Sequence, residues 1–171
     1  MKEIIIEESK IVNAASEGMD AFVDLFVETI SGAIGHTLTT ETLSQLNADQ
    51  ATLLAYHHLR EEVMDGGFVQ LIHNGYGDFV FFNPFAKMMR TWGIDSLATL
   101  INKARKPFTK HREEIMQACS DEEFMALFER FPVFDDLDDQ FVENEENWTE
   151  DVARYIDEHI DDFARVIAET P

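Results

Sequence analysis

His57 and His58 stand four residues ahead of Glu61 and Glu62, so on a helix each imidazole lies one turn from a carboxylate. Two such pairs, with His73 further along, have the residue types for a metal site or for acid/base chemistry. The spacing of a di-metal carboxylate bundle is missing, because no histidine has a glutamate three residues before it. The run Asp135, Asp136, Asp138, Asp139 resembles a calcium loop only in composition. Counted from Asp136, the sixth and twelfth positions, which need Gly and Glu, are Phe141 and Asn147. The glycines of residues 65–79 match neither the Gly-x-x-x-x-Gly-Lys nor the Gly-x-Gly-x-x-Gly phosphate pattern, so they read as helix punctuation. Cys119 has no histidine close in sequence and reads as a small buried hydrophobe. Lys103, Arg105, Lys106, Lys110 and Arg112 crowd into residues 103–112. They read either as a nucleic-acid patch or, more economically, as counter-charge for the acidic last third of the chain.

The elements that would hold these residues are helical wherever a period can be read. Ile11, Val12, Ala15, Met19, Phe22, Val23, Phe26, Val27 and Ile30 recur at steps of three and four, which predicts one long helix or two abutting ones. Ser16 reads as a cap for the second segment; Gly32 and Gly35 end it. Ile4–Ile6 fits a short strand or an extended arm. Asn47 reads as the N-cap of a helix over residues 48–64, broken by Gly66-Gly67, and a short helix follows over 68–73 up to Asn74-Gly75. Asn83-Pro84 opens the next helix, Gly93 ends it, and residues 94–104 form another before a boundary or kink at Pro107. Ser120 with Glu123 fits a capping box ahead of Phe124, Leu127 and Phe128, and Pro132 closes that helix. Two apolar stripes, Phe134/Leu137/Phe141 and Val152/Tyr155/Ile156/Ile160/Phe163, run through the acidic end. Short connections and no repeat predict one all-α domain over residues 1–171.

Charge is the strongest compositional signal. The 171 residues carry 34 Asp and Glu against 13 Lys and Arg, a net of −21. With 45% hydrophobic residues the chain can bury a core, so it is not a disordered acidic tail. The excess is regional: residues 1–56 hold 2 basic and 9 acidic side chains, residues 57–118 hold 8 and 7, and residues 119–171 hold 3 and 18. Direct binding to nucleic acid or an anionic membrane is disfavoured, and basic partners are favoured. One cysteine makes no internal disulfide, and the apolar start is too short for a signal peptide, so the expected location is the cytoplasm. No cofactor is implied.

If residues 119–171 were wholly helical they would extend about 80 Å, one net charge per roughly 5 Å of axis. Duplex DNA carries one per about 1.7 Å. Packing two helices side by side and doubling them in a symmetric dimer brings the two densities within reach of each other. Acids four residues apart, such as Asp135/Asp139, Asp139/Glu143 and Asp157/Asp161, would lie about 6 Å apart along the axis. The candidate partner-binding set is therefore Asp135, Asp136, Asp138, Asp139, Glu143, Glu145, Glu146, Glu150, Asp151, Asp157, Glu158, Asp161 and Asp162.

Two local patterns carry a resemblance. One is EVMDGGFVQLIHNGYGD, residues 62–78, with Asp65 where the pattern usually has Asn; the other is FDDLDDQF, residues 134–141, followed by RYIDEHIDDF, residues 154–163. Over residues 50–163 the chain resembles a family of small acidic bacterial proteins that includes a DNA mimic. The resemblance implies an all-α fold, self-association as a dimer and no enzymatic activity, with Gly66, Gly67, Phe68, Gln70 and Asn74 as framework. It also implies an acidic surface that occupies the DNA-binding face of a regulator or similar basic protein. Residues 1–45 lie outside it. Three other readings stay open: a metal-dependent enzyme or hydrolase using His57, His58, Glu61, Glu62 and His73; an immunity-type protein that neutralises a toxin nuclease; and an interaction domain whose charge confers only solubility.

Overall fold

A computed structural model describes residues 1–82 and 84–169. Their contacts fall into two compact units, Met1–Leu54 with Asn147–Pro171, and Ala55–Glu146. The fold is all-α, as the periodicity predicts, with one very small sheet added.

In the first unit β1 (Ile5–Glu7) pairs in parallel with β2 (Arg165–Ile167), in the register Ile5 to Arg165. This settles the N-terminal isoleucines as a strand, with Ile4 and Ile6 buried. The long N-terminal periodicity divides into α1 (Glu8–Glu17) and α2 (Met19–Ala33). The break is at Gly18, whose φ of 127° suits glycine, and Gly18 rather than Ser16 stands at the head of α2. Ser16 lies in the last turn of α1, where its hydroxyl donates back to the Asn13 carbonyl (2.6 Å). That bond turns the hydroxyl back along α1, and Ser16 stands two residues ahead of Gly18, the N-cap of α2. The apolar face of α1 is not core: no α1 residue is buried and Val12 is 61% exposed. The core face belongs to α2, through Phe22, Val23, Phe26, Val27 and Ile30. A four-residue helix, α3 (Thr40–Leu43), follows before α4 (Ala48–His73) begins.

Asn47 caps α4 as its type predicts. Gln50 N–H donates to Asn47 Oδ1 (2.8 Å), while Asn47 N–H donates to Gln50 Oε1 (3.0 Å). The same two side chains hold the C-terminal part of the unit, since Asn47 Nδ2 donates to the Asp162 carbonyl and Gln50 Nε2 to that of Phe163. Phe163, on the short α9 (Ile160–Phe163), meets Phe26 edge to face at 6.4 Å.

The second unit opens inside α4, whose helical geometry is interrupted at Gly66 and Gly67. A π-helical turn (Asp78–Phe82) leads to α5 (Phe85–Thr91), α6 (Asp95–Ile115), α7 (Asp121–Arg130) and a 3-10 turn (Pro132–Phe134). The proposed Asn83 cap lies outside the described residues. Pro107 does not end a helix: α6 runs through it. The lost backbone bond is offset by packing on the inner face, where Ala104, Phe108 and Ile115 are fully buried and Phe108 stacks on Phe81 at 4.4 Å. The Ser120 cap is present, accepting from Glu123 N–H (3.1 Å). Phe68 sits among Phe81, Phe134 and Phe141, with ring centroids 6.2–6.5 Å away, forming an aromatic core. The two apolar stripes of the acidic end largely share one helix, α8 (Asp135–Glu158), which carries Leu137, Phe141, Val152, Tyr155 and Ile156; Phe134 lies in the 3-10 turn before it, and Ile160 and Phe163 lie on α9. No helix among the described residues is long and apolar enough to cross a membrane.

Candidate partner-binding surface

Within the second unit, the first half of α8 turns Leu137 and Phe141 inward, and this leaves the opposite face to carboxylates. Asp135, Asp136, Asp139, Glu143 and Glu146 are exposed there. Asp135, Asp139, Glu143 and Glu146 follow at steps of four, four and three, which is a single stripe. The three acids of the first turn, Asp135, Asp136 and Asp138, also lie where the helix dipole favours negative charge. These twelve residues extend about 18 Å. Five exposed charges over that length give one per roughly 3.6 Å, close to the 3.4 Å per charge of one DNA strand.

Two acids of the predicted set have inward roles instead. Glu145 is largely buried and pairs with Arg60 of α4 through the guanidinium Nε. Asp138 is half-buried, and its Oδ1 accepts the Phe68 N–H (2.8 Å), so it caps the helical segment that restarts after the Gly66-Gly67 break. Burial pushes its carboxyl from 3.8 up to about 6; the Phe68 N–H works against the rise, and the charges of Asp135 and Asp139 add to it.

The glycine motif is the other half of this joint. Gly67 has φ 73°, and a Cβ there would stand 2.5 Å from Asp138 Oδ2. A Cβ on Gly66 would collide with Gln70 Oε1. Gln70 Nε2 donates to Glu62 Oε2 and Asp65 Oδ2, and Asn74 Nδ2 donates to the same Glu62 oxygen, each at 2.9 Å. The conspicuous residues of the run thus bond one another across a break in α4. Sequence reasoning missed Asp138 as their partner. The signal was the position of Leu137-Asp138 inside the second family pattern, next to the buried Leu137.

In the first unit Glu150, Asp157, Glu158, Asp161 and Asp162 are exposed. Asp151 is half-buried and pairs with Arg154 (3.1 Å), and Glu150 approaches the same guanidinium (3.9 Å).

The histidine cluster is built differently from a metal centre. His58 stacks on Tyr76 with centroids 4.4 Å apart, and burial, with the neighbouring His57 charge, lowers its pKa to about 4. Glu62 is engaged by Gln70 and Asn74, and His73 Nδ1 donates to the Ile115 carbonyl (2.7 Å). Among the described residues no three His, Cys, Asp or Glu side chains gather closely enough to hold a metal ion. Cys119 is free and half-buried. Arg112 pairs with Asp78 (2.7 Å) and Arg105 donates to the Phe81 carbonyl (3.1 Å), so these two residues of the basic segment are bonded within the second unit and not to the acidic last third.

The model of the family described as DMP19-like protein matches residues 44–159, which include the glycine joint and the whole of α8 and stop before α9. The chain belongs to the DMP19-like family. It is 34% identical over 145 residues to DNA mimic protein DMP19 of Neisseria meningitidis serogroup B (strain ATCC BAA-335 / MC58), a match that covers 83% of this chain and 88% of the relative. That extent exceeds residues 50–163, so part of the flanking chain, outside the sequence patterns, is shared as well.

Proposed function

We propose that this protein is a non-enzymatic DNA mimic whose two units work as one helical domain. It occupies the DNA-binding surface of a basic protein with the exposed carboxylates of Asp135, Asp136, Asp139, Glu143 and Glu146. The acids of residues 150–162 add to the negative field. The observation that carries this reading is the row of exposed acids on α8, spaced near the charge interval of a DNA strand, in a relative of a protein named for DNA mimicry. A single row matches one strand, so presenting both strands calls for a second row, which a homodimer would supply.

Recognition of this kind depends on ordered charges and on counterions released from the basic partner. Binding should weaken steeply as salt rises. The test is affinity capture with the intact protein as bait, eluted in a salt gradient. Enrichment of DNA-binding proteins that duplex DNA also elutes is the expected result. Retention of partners that are not basic, at undiminished strength in high salt, contradicts it.

A further inference from the structure

The exterior of so acidic a protein leaves few places for an anion, yet one cavity is cationic. It has a volume of about 340 Å³ and is lined by Pro84, Ala86, Lys87, Arg90, Asn102 and Arg105. Lys87 and Arg90 stand three residues apart on α5, and Asn102 and Arg105 three apart on α6, so each helix turns one pair toward the same space. Arg105 is half-buried, and its Nε–H is tied to the Phe81 carbonyl. That bond fixes the plane of the guanidinium and limits the entropy lost when the terminal nitrogens engage a ligand.

With 34 acids to 13 Lys and Arg, a cation in this chain should find a carboxylate easily. Among the described residues none lies within ion-pair distance of Lys87, Arg90 or Arg105. The surrounding segment, residues 84–112, holds seven Lys and Arg against Asp95 alone. Three cations and an amide around one concave space, kept apart from the protein's own acids, form an arrangement complementary to a small multivalent anion. Two guanidinium forks match phosphate oxygens in particular, and the volume lies at the lower end of small-molecule sites.

We infer that the cavity between α5 and α6 binds a small phosphorylated ligand carrying two or more negative charges. A polymer fits less well. At physiological salt the field is screened over about 8 Å, so a small anion experiences the local cations, whereas a nucleic-acid strand extends far enough to meet the protein's net negative charge.

Inorganic pyrophosphate is the probe, titrated into the full chain and followed by calorimetry and backbone amide shifts. Saturable binding is expected, with the shifts centred on residues 86–90 and 102–105. The double variant Lys87→Gln/Arg90→Gln should weaken it by about tenfold or more, as loss of charge-assisted bonds implies. Asn102→Asp, which puts a carboxylate into the cavity, should weaken it independently. Lys106→Gln/Lys110→Gln removes as much charge from outside the lining and should leave the affinity within about twofold, the range of screened surface charges. The inference is overturned by the absence of saturable binding, by an equal loss in the outer-lysine variant, or by tighter binding of a short single-stranded oligonucleotide than of pyrophosphate.

Discussion

Asp138 demonstrates why a count of acids along a helix overstates the surface they form. The acids around it, Asp135, Asp136 and Asp139, face solvent, but its own carboxylate reaches the Phe68 N–H and gives up hydration to do so. Because its folded pKa of about 6 lies above its ordinary 3.8, its ionised form is penalised in the folded state. Its contribution to stability is therefore full below about pH 4 and is lost as pH rises through 6. His58 works in the opposite sense. Its pKa is lowered from 6.5 to about 4, so its contribution is present above pH 6.5 and is lost as pH falls through 4. Urea unfolding across pH 4 to 7 should separate the two. Asp138→Asn should gain stability relative to the parent as pH rises through this window, and His58→Phe, which keeps a ring against Tyr76, should gain as pH falls. Parallel curves for parent and variants would contradict these assignments. Asp138→Ala, which leaves the Phe68 N–H without its acceptor, should cost about 1–3 kcal/mol.

At the scale of elements, the break in α4 is a built joint. Gly67→Ala places a Cβ at positive φ and against Asp138, and should cost about 1–3 kcal/mol by thermal or urea unfolding. A neutral result would mean that the joint relaxes freely. Asn47→Ala, which removes a reciprocal cap and an anchor on the Asp162 carbonyl, should cost about 1–2 kcal/mol in the same measurement. Much of this architecture was legible in the sequence. Asn47, Gly66-Gly67, Asn74-Gly75, Gly93 and Ser120 each stand where the chain must start or stop a helix, and their local chemistry suffices to mark it. The departures lie where bonding and packing decide more than residue type does. Ser16 has cap chemistry but bonds backward, Pro107 is carried through by the packing of Phe108, and the apolar stripe of α1 is not matched by burial. The candidate surface was legible as a set of acids. The division of its residues 135–146 into five exposed carboxylates and two inward ones, Asp138 and Glu145, depends on partners about 70 and 85 residues away in sequence, which no local pattern contains.

For the whole molecule, the decisive property is where the net charge of −21 resides. It is concentrated in residues 119–171, whereas residues 84–112, around α5 and α6, are cationic, so the charge is patterned and not uniform. A solubilising coat would tolerate neutralisation anywhere, whereas a mimic needs particular carboxylates on a rigid helix. Exchanging the five exposed acids in the first half of α8, Asp135, Asp136, Asp139, Glu143 and Glu146, for amides should abolish partner binding with little change in unfolding midpoint. Neutralising five exposed acids elsewhere, Glu8, Glu17, Asp20, Glu28 and Glu41, should spare binding while altering net charge equally. The most direct measurement is displacement of fluorescent duplex DNA from the captured partner by this protein. Full, salt-sensitive displacement is expected from the parent and from the variant neutralised elsewhere, and none from Asp135→Asn/Asp136→Asn/Asp139→Asn/Glu143→Gln/Glu146→Gln. Undiminished displacement by that five-site variant, still folded, would contradict it.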